Sequence, residues 1–246
     1  MQPMPLTVEP IPNLSDNYAW LLRDAATGTV AIVDPAEDAP CAAAIEARGG
    51  RLDLILLTHH HGDHIDGVPG LVARYKVPVI GAAADAHRLP KLAQAVKEGD
   101  TVAVGASKAT VIDTPGHTIG HIAYFFPEAK VLIAGDTLFS LGCGRFIEGT
   151  AEDMFASLRK FAALPPDTLV ACGHEYTDSN ARFALHVDPD NKALQARAAE
   201  VAAQRAAGRP TLPVRLADEL AANPFLRAPD VPTLAKLREG KNVFRG

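Results

Sequence analysis

Four potential metal ligands lie within six consecutive residues of this 246-residue chain. The segment 58–64 reads Thr-His-His-His-Gly-Asp-His and follows an apolar run that is typical of a β-strand. Because alternate side chains of an extended segment point the same way, His59 and His61 can address one metal ion. The turn into a following helix lets Asp63 and His64 face a second ion. A polar loop with hydrogen-bonded histidines is the competing interpretation, and four such groups in six residues favour the metal centre.

Three further turns each deliver a His or an Asp directly after an apolar run. His117 follows Pro-Gly, Asp136 follows Gly, and His174 follows Cys-Gly. Each turn alone is weak evidence, because Gly-Asp and Gly-His turns are common. Together with the first segment they predict a site with more than four ligands. Imidazole and carboxylate groups suit divalent zinc, iron or manganese.

The elements that would position these residues are short strands and helices. The first half predicts alternating strands and helices, and residues 100–134 predict an antiparallel meander. After residue 174, proline-interrupted helical patterns predict a small helical domain. The predicted strands are Tyr18–Leu22, Val30–Val33, Leu52–Leu57, Val77–Ile80, 101–104, 109–113, 122–126, 130–134 and 168–171. The predicted helices are Asp38–Arg48, with Asp38 as its cap, 153–163, 191–207, 215–222 and 233–238.

Composition excludes several classes of protein. Hydrophobic residues make up 48% of the chain and charged residues 22%, which predicts a folded core. The net charge of −5, without a basic stripe, argues against a nucleic-acid partner. Nowhere do 18 apolar residues follow one another, so no membrane span is expected. Cys41, Cys143 and Cys172 lack CxxC spacing, so neither a disulfide framework nor a thiolate zinc site is expected. We expect a monomeric cytoplasmic protein.

The ordered motifs THHHGDH, PGHTIGH, GDTLF and CGHEYT resemble the metallo-β-lactamase superfamily, most closely its glyoxalase II (hydroxyacylglutathione hydrolase) branch. The resemblance covers nearly the whole chain. It implies an α+β fold, a four-layer αββα sandwich at 1–174 followed by a helical substrate-binding domain at 175–246. It also implies two metal ions, zinc first and iron or manganese as alternatives.

The resemblance assigns a role to each candidate residue. His59, His61 and His117 would hold one ion, Asp63, His64 and His174 the other, and Asp136 would bridge both. His60 and His121 receive no ligand role and are expected to pack against or orient the ligands. Asp63 is also the catalytic candidate, accepting a hydrogen bond from a metal-bridging hydroxide. The residues expected to bind glutathione are Arg145, Phe146, Tyr176, Arg238 and Lys241. Ile147 departs from the tyrosine that many family members carry there.

The implied reaction is hydrolysis of S-D-lactoylglutathione to glutathione and D-lactate, in methylglyoxal disposal. A thiol departs readily as a thiolate, so neither a dedicated general acid nor a Cys143 nucleophile is expected. Three alternatives stay open: a persulfide dioxygenase with a single iron, a zinc β-lactamase, and a non-catalytic module with a structural metal. The long arm at 175–246 favours the hydrolase over the first two.

Overall fold

The computed structural model describes residues 5–246, and the chain divides into two compact units. Unit 1 comprises Met1–Asp113 and Gly120–Gly135, and unit 2 comprises Thr114–Ile119 and Asp136–Gly246. The predicted domain boundary at 174/175 stays a prediction. No helix within residues 5–246 combines the length and apolar character that crossing a bilayer requires.

Unit 1 contains a mixed six-stranded sheet in which neighbouring strands follow sequence order. The hairpin of β1 and β2 and the pair of β2 and β3 are antiparallel, whereas β3 to β6 run parallel. The sheet strands are β1 (Leu6–Asn13), β2 (Asn17–Asp24), β3 (Val30–Val33), β4 (Leu54–Leu56), β5 (Val79–Ala82) and β6 (Gln94–Val96). The helices are α1 (Asp38–Glu46), α2 (Gly62–Ile65) and α3 (Val68–Tyr75), with a 3₁₀ turn at Ala83–Asp85.

Four more strands of unit 1 form an antiparallel meander, as the sequence predicted. They are β7 (Thr101–Val104), β8 (Ser107–Asp113), β9 (Ile122–Phe126) and β10 (Val131–Gly135). Buried Tyr124 on β9 donates a hydrogen bond from its hydroxyl to the carbonyl of Leu57, 2.9 Å away at the end of β4. On the first sheet, apolar residues of α1 and α3 pack with residues such as Ile32 and Ile55 into one core. The strand ends that carry candidate ligands are therefore anchored in buried structure.

Unit 2 is mainly helical, with two short strand pairs. The strands are β11 (Leu138–Phe139), β12 (Gly142–Cys143), β13 (Leu169–Cys172) and β14 (Val214–Arg215); β11 pairs antiparallel with β12, and β13 pairs antiparallel with β14. The helices are α4 (Ala151–Ala162), α5 (Thr177–Val187), α6 (Lys192–Ala206), α7 (Leu216–Ala222) and α8 (Val231–Val243). Buried Leu141 joins apolar residues of α5, α6 and α7 in a second core.

Most predicted elements are confirmed, with shifts of a few residues at their ends. The predicted Asp38 cap is wrong: Glu37 occupies the cap position of α1 without a side-chain bond, and Asp38 lies in the first turn. The strand β1, the hairpin of β11 and β12, and α5 were not predicted. Helix α8 extends beyond 233–238 at both ends, and at its start the Asp230 side chain caps it by accepting from the Thr233 backbone N–H.

Replacing Tyr124 with Phe should lower the free energy of unfolding by about 1–3 kcal/mol, because the buried Leu57 carbonyl loses its donor. Urea unfolding measures the loss. Tyr75→Phe is the matched control, since the Tyr75 hydroxyl donates to the exposed carboxylate of Glu46, which water can hydrate instead. Equal effects of the two substitutions would contradict the importance of this internal bond.

Candidate metal centre

The loop from β4 into α2 brings four predicted ligands of unit 1 together. The ring centroids of His59 and His61 lie 4.8 Å apart, and those of His59 and His64 lie 4.2 Å apart. His64 Nε2 lies 3.7 Å from Asp63 Oδ2. His59 and His64 are almost completely buried, so their rings are fixed by packing.

A hydrogen-bond chain sets the tautomer of His59. The Thr58 hydroxyl donates its one proton to Asp34 Oδ2, 2.6 Å away, and the Thr58 backbone N–H donates to Asp34 Oδ1 at 2.8 Å. Thr58 Oγ1 therefore accepts from His59 Nδ1, which lies 3.0 Å from it. The proton of a neutral His59 is thus on Nδ1, and Nε2 carries the lone pair that a metal ion requires.

Asp34 orients His64 in the same way. Its Oδ2 lies 3.1 Å from His64 Nδ1, and both side chains are buried. Asp34, His59 and His64 also present ligand atoms within 4.8 Å of one another. Because Thr58 and His64 already occupy the Asp34 oxygens, we interpret Asp34 as the carboxylate that directs imidazoles and not as a ligand.

His60 and His121 behave as orienting and packing residues in unit 1. His60 Nδ1 lies 3.0 Å from Oδ2 of Asp85, a buried carboxylate that Arg88 also contacts. The buried ring of His121 stacks on His59, with centroids 4.9 Å apart and planes 26° apart. The expected orienting and packing roles of His60 and His121 stay predictions.

In unit 2, a close backbone approach holds His117. Gly116 has φ +142°, and a Cβ atom there would lie 2.9 Å from the backbone of Met154. Only glycine fits this position. His117 Nδ1 lies 2.9 Å from the carbonyl of Arg145, and since a carbonyl can only accept, Nδ1 is the protonated nitrogen. The lone pair of a neutral His117 is therefore on Nε2.

Asp136 faces that lone pair. His117 Nε2 lies 3.5 Å from Asp136 Oδ2, and His174 Nε2 lies 3.2 Å from the same oxygen. A lone pair facing a carboxylate is unfavourable unless a cation lies between them, either a proton or a metal ion. All three side chains are buried, and a buried carboxylate is stable only where a cation or hydrogen bonds offset its charge. The donor set of unit 2 therefore fits a divalent metal ion.

Aromatic packing fixes His174 at the end of β13. Tyr176 stacks on His174 with ring centroids 4.6 Å apart and planes 6° apart. Phe139 packs edge-on against both rings, at 5.8 Å from His174 and 5.3 Å from Tyr176. Tyr176, a predicted substrate residue, therefore also supports a predicted ligand through this stacking. Its own side chain is partly exposed.

The other predicted substrate residues of unit 2 include a group of cations. Burial, followed by the positive charges of Arg238 and Arg182, lowers the pKa of Lys241 to about 8. Burial also lowers the pKa of Arg238, and the charge of Arg145 acts in the same direction. Arg238 Nη1 donates to the Cys143 carbonyl at 2.8 Å, whereas Arg145 is exposed and Phe146 is half-buried. Cations that repel one another in this way form an attractive site for an anion.

Two residues next to the candidate ligands were missed at the sequence level. Asp34 directly follows β3, which is the same strand-end pattern that identified the other carboxylates. Asn17 donates from Nδ2 to the Asp63 backbone carbonyl at 2.9 Å and to Asp63 Oδ2 at 3.0 Å. Asn17 lies 46 residues before its partner, and nothing local in the sequence indicates that contact.

Comparison with known proteins agrees with these motifs. The family described as "Metallo-beta-lactamase superfamily" matches residues 13–174, and "Hydroxyacylglutathione hydrolase C-terminus" matches residues 175–244. A protein named hydroxyacylglutathione hydrolase from Acidiphilium cryptum (strain JF-5) is 58% identical over 238 residues, which cover 97% of each chain.

Two solved structures are similar in fold. ETHE1 from Myxococcus xanthus superposes with a TM-score of 0.74 and 25% identity, covering 97% of this chain and 92% of that one. TTHA1623 in a di-iron-bound form superposes with a TM-score of 0.60 and 28% identity, covering 68% of this chain and 92% of that one. The predicted α+β fold class is confirmed. By its two family matches and its full-length relative, this chain belongs to the metallo-β-lactamase superfamily and, within it, to the hydroxyacylglutathione hydrolase (glyoxalase II) family.

Proposed function

We propose that the protein hydrolyses the thioester of S-(2-hydroxyacyl)glutathione, chiefly S-D-lactoylglutathione, to glutathione and D-lactate. This reaction would remove methylglyoxal-derived adducts. The observation that carries the metal chemistry is the His117 lone pair that faces the Asp136 carboxylate in a buried setting. Membership of the hydroxyacylglutathione hydrolase family supports the substrate.

Two divalent metal ions are proposed, with zinc first and iron or manganese as alternatives. His59, His61 and His117 would hold one ion, Asp63, His64 and His174 the other, and Asp136 both. The oriented lone pairs of His59, His64 and His117 support this proposal, as does the di-iron-bound form of the relative TTHA1623. When bound, such a pair of ions lowers the pKa of water towards about 7 and polarises the carbonyl to be attacked.

Asp63 is the proposed catalytic residue of the chain. Its carboxylate would accept a hydrogen bond from the attacking water and so aim that water at the thioester carbonyl. Asn17 holds both the backbone carbonyl and Oδ2 of Asp63, so the carboxylate cannot rotate freely. Asn17 is therefore a positioning residue for the reaction.

Glutathione binding is proposed for Arg145, Phe146, Tyr176, Arg238 and Lys241. Glutathione carries two carboxylates, and the mutually repelling cations at 145, 238 and 241 are stabilised when such an anion docks. Ile147 is exposed and offers no hydroxyl, so binding at this loop relies on the cations. In this proposal residues 1–174 form the catalytic domain and residues 175–246 the substrate-binding domain.

The leaving glutathione thiolate needs no general acid, because a thiol of pKa about 8.5 departs readily. Cys143 supplies no nucleophile, since burial raises the pKa of its thiol to about 12 despite the nearby charge of Arg238. All three cysteines, Cys41, Cys143 and Cys172, are buried thiols. Reduced cysteines fit the proposed location in the cytoplasm, where thiols stay reduced. The protein is also proposed to be a monomer.

Family membership supports the hydrolase over the rival functions. A mononuclear-iron dioxygenase would consume oxygen with glutathione persulfide and leave thioesters uncleaved, and a β-lactamase would turn over nitrocefin. If the metal were only structural, His59→Ala would lower the melting temperature and leave thioester cleavage unchanged, whereas the proposed enzyme would lose cleavage. Oxygen consumption, nitrocefin turnover and the His59→Ala comparison therefore separate the functions in one set of assays.

The purified protein should hold two equivalents of divalent metal and cleave S-D-lactoylglutathione. Asp136→Ala should lower metal content and reduce thioester cleavage by at least about 100-fold, because the carboxylate that faces both imidazoles is gone. Metal analysis and a glutathione-release assay measure both effects. The control Asp190→Ala removes an exposed carboxylate and should change neither. A fully active Asp136→Ala protein would refute the mechanism.

Asn17→Ala should reduce kcat by about 10-fold and leave KM nearly unchanged, because Asp63 loses its donor while the cations stay in place. Asn13→Ala is the matched control. Asn13 pairs with Asn17 across the β1–β2 hairpin and is equally buried, but its side chain bonds Ile11 and Glu37. It should lower stability and keep kcat, and identical kinetics for the two variants would contradict a role for Asn17 at Asp63.

Binding should weaken at alkaline pH as Lys241 deprotonates. Its pKa is lowered to about 8, so the ammonium is present below that pH and is lost above it. We expect kcat/KM to fall with a midpoint near about pH 8, while kcat at saturation changes less. Lys241→Arg should move the fall to higher pH, because a guanidinium stays charged. Lys236→Arg, on the exposed face of the same helix, should change nothing. An unshifted profile in Lys241→Arg would exclude Lys241 as the titrating group.

A further inference from the structure

The hairpin of β11 and β12 connects three candidate site residues of unit 2. It begins two residues after Asp136 and leads directly into Gly144 and Arg145. The Arg145 carbonyl accepts from His117 Nδ1 at 2.9 Å, and the Gly144 N–H donates to the Thr137 carbonyl at 3.2 Å. A Cβ atom on Gly144 would lie 2.0 Å from the Asp136 carbonyl. The path of this hairpin therefore sets both the tautomer of His117 and the position of Arg145.

This hairpin is too short to fix its own geometry. Each strand has two residues, and isolated hairpins of that size are not stable in water. Leu141 lies in the turn of the hairpin and is fully buried. Its φ is +57°, a conformation that residues other than glycine rarely adopt. Contacts from elsewhere in the chain must hold this conformation.

Glu219 on α7 supplies one set of these contacts. Its carboxylate is completely buried and accepts from the Ser140 hydroxyl at 2.7 Å and from the Leu141 N–H at 2.8 Å. Both donors belong to the turn of the hairpin. Glu219 Oε2 also lies 2.9 Å from Asn223 Nδ2, one helical turn along the chain, and shares the two amide protons with the backbone carbonyls that Asn223 contacts.

Asn223 supplies the second set. Its amide group is fully buried and donates to the Phe139 carbonyl at 3.1 Å and to the Gly142 carbonyl at 3.0 Å. Phe139 and Gly142 are partners across the hairpin, so one amide holds both strands. Glu219 and Asn223 together contact every residue from 139 to 142, and we name this pair the hairpin clamp.

We propose that the hairpin clamp, Glu219 and Asn223, is a positioning device for the metal centre and the substrate cations. It acts through the hairpin on the Arg145 carbonyl that directs His117, and on Arg145 itself. The inference rests on the proposed function, since it assumes that His117 binds metal and that Arg145 binds the thioester substrate. It gives residues of the C-terminal arm a part in building the metal site, in addition to substrate binding.

Glu219→Gln tests the inference with little change of shape. The glutamate accepts from three donors, whereas glutamine has one acceptor oxygen and turns an NH₂ group towards a donor. Asn223→Asp is the reciprocal change, because it turns a carboxylate oxygen towards two carbonyls and Glu219. Zinc affinity is measured by competition with a chelator, and kcat and KM with S-D-lactoylglutathione.

The matched control is Asp24→Asn. Asp24 is a buried carboxylate that likewise accepts from a serine hydroxyl and a backbone N–H, both of Ser107, at 2.7 and 3.1 Å. It also accepts from Thr27, and neither Ser107 nor Thr27 is a candidate site residue. Asp24→Asn should lower the melting temperature and leave zinc affinity and KM as in the original protein.

We expect each clamp variant to bind zinc about 10-fold more weakly at one of two sites and to show a severalfold higher KM. The changes in zinc affinity and in KM should both exceed those in Asp24→Asn. Clamp variants that melt earlier but match Asp24→Asn in zinc affinity and KM would overturn the inference. Should the original protein bind no metal and cleave no thioester, the proposed function itself would fail. If Glu219→Gln does not fold, Ser140→Ala, which removes one donor to Glu219, decides by the same readouts.

Discussion

A neutral imidazole has one lone pair, and its direction is decided by the hydrogen bond that the other ring nitrogen makes. In this protein that bond is supplied by Thr58 for His59, by Asp34 for His64 and by the Arg145 carbonyl for His117. Without these partners each ring could turn either nitrogen outward. Because all three partners are buried or fixed in the backbone, Nε2 is the nitrogen available to metal in each case. The candidate chemistry depends on this constraint more than on the number of histidines.

The constraint explains why so much of the chain near the ligands is glycine or strained backbone. Gly116 permits the approach to Met154 that aims His117, and Gly144 leaves room for the Asp136 carbonyl. Asp34 itself has φ +50°, a rare conformation for a residue with a side chain. Such conformations persist only where surrounding contacts impose them. Leu141, with φ +57°, is a further case, and its N–H is held by the buried carboxylate of Glu219, so in the proposed mechanism Glu219 supports the metal site through the hairpin.

The candidate ligands are easier to find in the sequence than the residues that support them. Candidate ligands such as His59 and Asp136 follow strand ends, and a strand end is visible as a change from apolar to polar residues. The supports act over long separations: Asn17 reaches Asp63 across 46 residues, and Glu219 reaches Ser140 across 79. Neither pair leaves a local pattern, because the contact exists only after the chain has folded. The hairpin of β11 and β12 was missed for a related reason, since strands of two residues have no periodicity to detect.

Unit 2 contains a buried carboxylate, Asp136, and a separate group of cations that includes Arg238 and Lys241. Asp136 lies against the imidazoles of His117 and His174, whereas burial, and then the charge of Arg238, lower the pKa of Lys241. The hairpin and the residues that follow it contact both groups, since Arg238 donates to the Cys143 carbonyl and His117 to the Arg145 carbonyl. In the proposed function a glutathione thioester would use both groups, because its carboxylates would meet the cations while its carbonyl would meet the proposed metal centre. The buried polar contacts of Glu219 and Asn223 hold the hairpin that links the two groups, which is the role proposed for the hairpin clamp.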